Sequence, residues 1–159
     1  METKQNKLYV LVGVPGSGKS TWIANQEWAR DCVVASTDFF VELEAAKRGK
    51  TYAEIFKDYM PEAVELMTHT VELAAEEHRD IIWDQTSTTV ASRAKKTIML
   101  PDYYKIAVVF RTHLDTKEHD KRLMSRQGKP IPQYVIDQMI DGWQEPTKDE
   151  GFDEIWYAQ

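Results

Sequence analysis

Cysteine is almost absent from this chain: Cys32 stands alone in 159 residues, so there is no internal disulfide framework and a reducing interior is the fitting environment. Set in the apolar run Cys32-Val33-Val34-Ala35, it reads as a small hydrophobe, with a reactive thiol as the alternative. Long hydrophobic runs are missing too. No segment approaches the ~20 apolar residues of a membrane helix, and the run that follows Lys4 and Lys7 is broken by Pro15 and Gly16 before a signal-peptide core could form. Positive charge is in deficit: 20 Lys and Arg against 26 Asp and Glu give a net charge of −6 and a pI near 5.3. That balance argues against a protein that coats nucleic acid by bulk attraction alone. His69, His78, His113 and His119 show no ligand spacing with cysteine or carboxylates, which gives a transition-metal site little support. The expectation is a cytoplasmic protein with no membrane partner, folded as one domain over positions 1–159.

The positive charge that is present is concentrated. From Arg93 to Lys129 ten Lys or Arg stand against four acids, so that stretch carries +6 and the remainder −12. The most specific feature is residues 13–20, Gly-Val-Pro-Gly-Ser-Gly-Lys-Ser, which meet every fixed position of G-x-x-x-x-G-K-[ST] directly after the apolar run Leu8–Val12. Glycines there permit the backbone angles and close approach that let successive N–H groups wrap a phosphate. A helix starting near Gly18 turns its positive end to the same point. Gly13, Pro15, Gly16, Ser17, Gly18, Lys19, Ser20 and Thr21 are therefore the expected nucleotide-binding residues. Lys19 would neutralise the β and γ phosphates and Ser20 would hold Mg²⁺, with ATP or another nucleoside triphosphate as the ligand. A ligand-free turn is the alternative, and strand, spacing and the Lys-Ser pair together weigh against it.

Apolar, β-rich runs alternate with helical patterns along the chain, the signature of βα units on a parallel sheet. Strands are expected at Leu8–Val12, Cys32–Ser36, Ile81–Asp84, Lys105–Phe110 and Glu154–Tyr157. Helices are expected at Phe39–Arg48 and over Tyr52–Arg79, the latter restarting at Pro61 with Ala63, Val64, Met67, Val71 and Ala74 on its buried face. Asp115 can cap a helix that runs to Gln127 and stops at Gly128, and Pro132 opens another that buries Val135, Ile136, Met139, Ile140 and Trp143.

Three features bear on what is done with the triphosphate. Ser36-Thr37-Asp38 ends the second strand, at the edge of the sheet where ligands bind. Asp38 can orient an alcohol and accept its proton during phosphoryl transfer; an ordinary helix N-cap is the alternative. Asp84 closes the third strand and can organise Mg²⁺ through water; a turn residue is the alternative. Arg122 and Arg126 lie i and i+4 on one helix face and can stabilise the transferred phosphoryl oxygens; a solvated charged face is the alternative. Trp22 and Trp143 read as packing residues, with base-stacking platforms as the second reading.

Taken in order, the loop Gly13–Ser20, Asp38, Asp84-Gln85-Thr86, and Lys121-Arg122-Leu123-Met124-Ser125-Arg126 before Lys129-Pro130-Ile131-Pro132 resemble the polynucleotide 5′-hydroxyl kinase family, in particular its phage T4-type kinase domains. The likeness covers nearly the whole chain, within the P-loop kinase superfamily. It implies an α/β three-layer fold with a five-stranded parallel sheet in the order 2-3-1-4-5 and a helical lid at about 115–131. It also implies Mg²⁺- and ATP-dependent transfer to a hydroxyl, most simply a nucleic-acid 5′-OH end, with Asp38 as base, Lys19 on the phosphates and Arg122 and Arg126 as lid arginines. A bacterial or phage-infected cell is the implied setting. Two departures stand out. Family members carry an Arg three residues after the catalytic Asp, gripping the phosphate next to the acceptor hydroxyl, where this chain has Val41; and their Asp-x-Thr-Asn is here Asp84-Gln85-Thr86-Ser87. Either Lys47, Arg48 or Arg93, with Thr86 beside them, serves the acceptor instead, or the acceptor is a modified base or a small molecule. A nucleotide-dependent switch that transfers nothing is the reading from another class.

Overall fold

The structure is a computed structural model and describes residues 5–114, 117, 119, 120, 123 and 131–158. Its elements run β1 (Lys7–Val12), α1 (Lys19–Asn25), β2 (Val33–Ala35), α2 (Thr37–Arg48), α3 (Tyr52–Glu76), β3 (Ile81–Trp83), α4 (Val90–Met99), β4 (Tyr104–Phe110), α5 (Gln133–Asp141) and β5 (Glu154–Ala158). All strand pairs are parallel and the order is β2-β3-β1-β4-β5, so the fold is α/β with the sheet topology expected.

A parallel sheet must be covered on both faces, and the strand sequences show why this one is. Leu8, Val10 and Val12 of β1 point to one side with Ile81, Trp83, Ala107 and Val109, where Met67, Val71 and Ala74 of α3 cover them. Tyr9 and Leu11 point to the other with Ile82, Ile106, Val108 and Phe110, covered by Ala29, Trp22 and Trp28. Trp22 stacks edge-on against Phe110 at 5.9 Å and Trp28 at 5.7 Å, so its placement is that of a packing residue. Cys32 lies half-buried at the edge of the same cluster, where burial and the nearby Asp80 and Asp31 push its thiol up to about 11. Among the described residues no helix is long and apolar enough to cross a membrane.

Several expected boundaries shift for identifiable reasons. The helix α3 does not restart at Pro61 but runs unbroken through it. Ile55 and Ala63 pack with Val41 and Ala45 of α2, while Met67, Val71 and Ala74 sit on the sheet, so contacts on both sides of Pro61 hold one axis. Val64, one residue beyond Ala63 and so about 100° round the helix, is 40% exposed rather than buried. Helix α2 starts at Thr37, with Ser36 at its N-cap, which leaves Asp38 inside the first turn instead of capping it. β2 and β3 stop at Ala35 and Trp83, so Ser36 and Asp84 fall just past the strand ends. Lys117, His119, Asp120 and Leu123 are helical, as expected there; Asp115, Gln127 and Gly128 lie outside the described residues.

Arg93 is fully buried, and its guanidinium is forked onto Glu150 (2.8 and 3.1 Å) and donates to the Ser87 carbonyl (2.9 Å). This pair ties α4 and the loop after β3 to the turn before β5. Removing one partner of such a pair strands the other charge, so Glu150→Ala is expected to cost about 3–5 kcal/mol of stability, read from chemical denaturation.

Lys96 gives a second stability prediction. It is 7% exposed, with its ammonium 5.6 Å from the Trp83 ring centroid and donating to the Ser92 carbonyl at 3.1 Å. Burial, reinforced by Lys95 and Arg93, lowers it to about 8. Below that value folded and unfolded chains both carry the proton and the full cost of burying the charge remains. Between about 8 and the ordinary 10.5 the folded chain holds fewer protons, so stability rises with pH through that window. Lys96→Met is expected to gain about 1–3 kcal/mol at pH 7, with the gain shrinking as denaturation is repeated from pH 8 to 10.

Candidate nucleotide and acceptor site

The C-terminal ends of β1, β2 and β3 open into a cavity of about 1110 Å³ lined by residues 15–21, Thr37, Asp38, Asp84-Gln85-Thr86, part of α3, and Ile131, Pro132, Val135 and Met139. Strand order arranges its chemistry. β3 lies between β1 and β2, so Asp84 falls between the loop after β1 and Asp38 after β2, with about 5 Å per strand step.

The loop's shape follows from its glycines. Gly18 sits at φ 99° at the start of α1, a left-handed angle that other residues rarely adopt. At Gly13 a Cβ would come 2.5 Å from Ser17 Oγ and 2.9 Å from Phe110 Cβ, so only glycine fits where the chain leaves the strand. Neighbouring segments hold the loop: Gly13 N–H donates to Thr86 O (2.9 Å), Thr112 Oγ1 to Ser17 O (2.9 Å) and His119 Nε2 to Pro15 O (2.8 Å). Lys19 folds over it, its ammonium donating to Gly13 O at 2.9 Å and Val14 O at 3.1 Å. Ser20 is exposed in the first turn of α1. A cradle that a Cβ would fill, a lysine on its rim, and a hydroxyl with a nearby carboxylate form a set that suits a triphosphate and an oxygen-seeking Mg²⁺.

Asp38 is held from a direction that sequence reasoning missed. Tyr52 Oη donates to Asp38 Oδ1 at 2.5 Å. A capping box places Tyr52 there: Glu54 N–H donates to Thr51 Oγ1 and Thr51 N–H to Glu54 Oε1, both at 3.2 Å, which starts α3 at Tyr52. Carboxylate and phenol thus come from the first turns of two helices packed through Val41, Ala45, Ile55 and Ala63.

The candidate acceptor residues are dispersed. Thr86 lines the cavity, but Arg93 is buried on Glu150 and Ser87 and is not among the lining residues. Lys47 and Arg48 sit at the far end of α2 from Asp38, where Arg48 bonds Glu44 at 3.1 Å and Lys47 lies 4.0 Å from it. Val41 is fully buried under α3. Arg122, Arg126 and Lys129 lie outside the described residues. Trp143 stacks on His113 at 4.3 Å and donates to Glu145, away from the cavity lining. Burial, with His119 nearby, lowers the His113 imidazole below its ordinary value.

Solved structures share this architecture. A chain of the PezAT chromosomal toxin–antitoxin system of Streptococcus pneumoniae superposes with a TM-score of 0.64 at 20% identity, over 100% of this chain and 70% of that one. A chain of the Pnkp1/Rnl/Hen1 RNA repair complex gives 0.64 at 23% identity, over 96% of this chain and 48% of that one, so this chain spans about half its length. A candidate kinase from Chloroflexus aurantiacus gives 0.70 at 16% identity, over 99% of this chain and 86% of that one. At these identities the likeness establishes the fold. Residues 8–146 match the model of an AAA domain family that is P-loop kinase-like, and the chain belongs to that family.

Proposed function

We propose that the protein is an ATP-dependent phosphotransferase that moves the γ-phosphoryl group to an alcohol. The observation that carries this reading is the placement of Asp38, gripped by Tyr52, on the wall of the same cavity that holds the phosphate loop. When bound, Mg·ATP supplies the phosphoryl group and much of the charge neutralisation that its transfer needs. Lys19 exchanges the Gly13 and Val14 carbonyls for phosphate oxygens. Ser20, and Asp84 through water, would hold the metal. Asp38 orients the acceptor hydroxyl and takes its proton as the new P–O bond forms, while Tyr52 fixes the carboxylate on its other side. The sequence resemblance assigns Arg122 and Arg126 to the transferred oxygens.

A nucleic-acid 5′-OH is the second reading for the acceptor, favoured by the order of motifs and by the likeness to a chain of an RNA repair complex. Four of the described cations of the Arg93–Lys129 stretch do not assemble its expected basic channel. Arg93 is buried, Lys96 lies over Trp83, Lys105 donates to the Pro101 and Tyr103 carbonyls at the N-terminal ends of the strands, and Arg111 pairs with Glu145. The experiment is transfer from γ-labelled ATP with Mg²⁺ to a 5′-OH oligonucleotide, a duplex containing 5-hydroxymethyluracil and small alcohols, with wild type and Asp38→Ala. Label on an acceptor, lost in Asp38→Ala, is expected. ATP hydrolysis with no labelled acceptor, unchanged by the substitution, would leave a nucleotide-dependent switch.

A further inference from the structure

Beyond Asp38 the cavity wall becomes apolar. Tyr52, Phe56 and Met60 stand at i, i+4 and i+8 on one face of α3, and Val135 and Met139 stand at i and i+4 on α5; all five line the cavity. Phe56 remains 42% exposed there, apolar surface that nothing within the described residues covers. Charge points the same way. Among the described residues that line the cavity Lys19 is the one cation, and it sits on the phosphate loop, whereas Asp38 stands on the acceptor side. A phosphate-bearing acceptor would approach the Asp38 carboxylate with no described lining cation other than Lys19 to meet it. Lys47, Arg48 and Arg93, the cations named as replacements for an Arg at position 41, are buried on Glu150 or grouped with Glu44 at the far end of α2, and Val41 itself is sealed beneath α3.

We propose that the acceptor is a small alcohol whose non-reacting body is uncharged and apolar, aryl or aliphatic, lying against Phe56, Met60, Val135 and Met139 with its hydroxyl at Asp38. The proposal rests on the phosphotransferase reading. In the step, the acceptor oxygen forms a bond to the γ-phosphorus as the bond from that phosphorus to the β,γ-bridging oxygen breaks. ADP leaves with that oxygen, the hydroxyl proton passes to Asp38 and then to water, and the product is a phosphate monoester.

The test compares 2-phenylethanol, glycerol, glycerol 3-phosphate and a 5′-OH oligonucleotide as acceptors for the full chain with Mg·ATP, and follows 2-phenylethanol binding by ligand-observed NMR in the presence of a non-hydrolysable ATP analogue. Expected is a kcat/KM for 2-phenylethanol about tenfold or more above the others. Phe56→Ala should raise its KM about tenfold with little change in kcat, and should leave the KM for ATP unaltered. Met60→Lys should shift preference toward glycerol 3-phosphate. Highest efficiency with glycerol 3-phosphate or the oligonucleotide, or a Phe56→Ala effect on ATP rather than on the alcohol, would overturn the proposal and leave the kinase reading intact. Saturable binding of 2-phenylethanol that Phe56→Ala abolishes, with no transfer to any acceptor, would support the apolar subsite and overturn the kinase reading. Neither binding nor transfer would overturn both.

Discussion

Asp38→Asn is expected to lower kcat by about 10²–10⁴-fold, with the KM for ATP little changed. The substitution keeps the shape of the side chain and an oxygen that can accept the Tyr52 hydroxyl, so the helix start and the α2–α3 packing through Val41, Ala45, Ile55 and Ala63 are left in place. What is lost is the group that accepts the proton at the moment of transfer. A loss confined to kcat marks an interaction made only in the transition state, whereas a rise in KM with kcat unchanged would mark one made equally with the bound substrates. Tyr52→Phe serves as the graded comparison, because it removes the hydrogen bond to Asp38 and leaves the carboxylate; its expected loss is about tenfold in kcat. Steady-state kinetics of the three proteins under saturating Mg·ATP read both effects. Equal activity of Asp38→Asn and wild type would remove Asp38 from the chemistry.

Lys19→Met is the second large effect, with an expected fall of about 10²–10³-fold in kcat and weaker binding of ATP. In the structure the ammonium bonds the Gly13 and Val14 carbonyls, at the end of the loop where the chain leaves β1. Those bonds are ones that a triphosphate can replace at small cost, since the cation exchanges neutral acceptors for charged ones and charge-assisted bonds are the stronger. Methionine matches the length and offers no charge. Fluorescence titration with a nucleotide analogue separates the binding loss from the kinetic one, and far-ultraviolet circular dichroism checks that α1 is retained. Full retention of nucleotide affinity and turnover in Lys19→Met would be incompatible with triphosphate binding at this loop.

How much of this was legible in the sequence differs from one residue to the next. The β1–loop–α1 unit was legible because every local signal agreed: an apolar run, glycines at the turning points, then Lys-Ser opening a helix. Strand positions were legible within a residue or two for the same reason, while the sheet order came from the resemblance of the motifs and not from the strands themselves. Pro61 misled because its local preference was overridden by packing at Ile55 before it and at Ala63, Met67 and Val71 after it. Arg93 looked like one more cation of a basic stretch, and only the fold brings Glu150, 57 residues away, against it. Tyr52 was out of reach in the same way, although Thr51 and Glu54 form a capping-box pattern that would have placed it in the first turn of a helix. Helical periodicity identified Val135 and Met139 as an apolar face. It does not tell whether such a face meets the core or a cavity, and here Ile136 is buried while Val135 and Met139 line the site.

The central claim is that this cavity transfers a phosphoryl group to an alcohol and that Asp38 takes the proton. Phosphorus NMR of wild type and Asp38→Asn incubated with Mg·ATP and an alcohol acceptor tests it most directly, since a phosphate monoester and inorganic phosphate give separate resonances. A monoester signal that grows in step with ADP in the wild type, and is nearly lost in Asp38→Asn, is the predicted result. Inorganic phosphate alone, released at equal rates by both proteins, would contradict it.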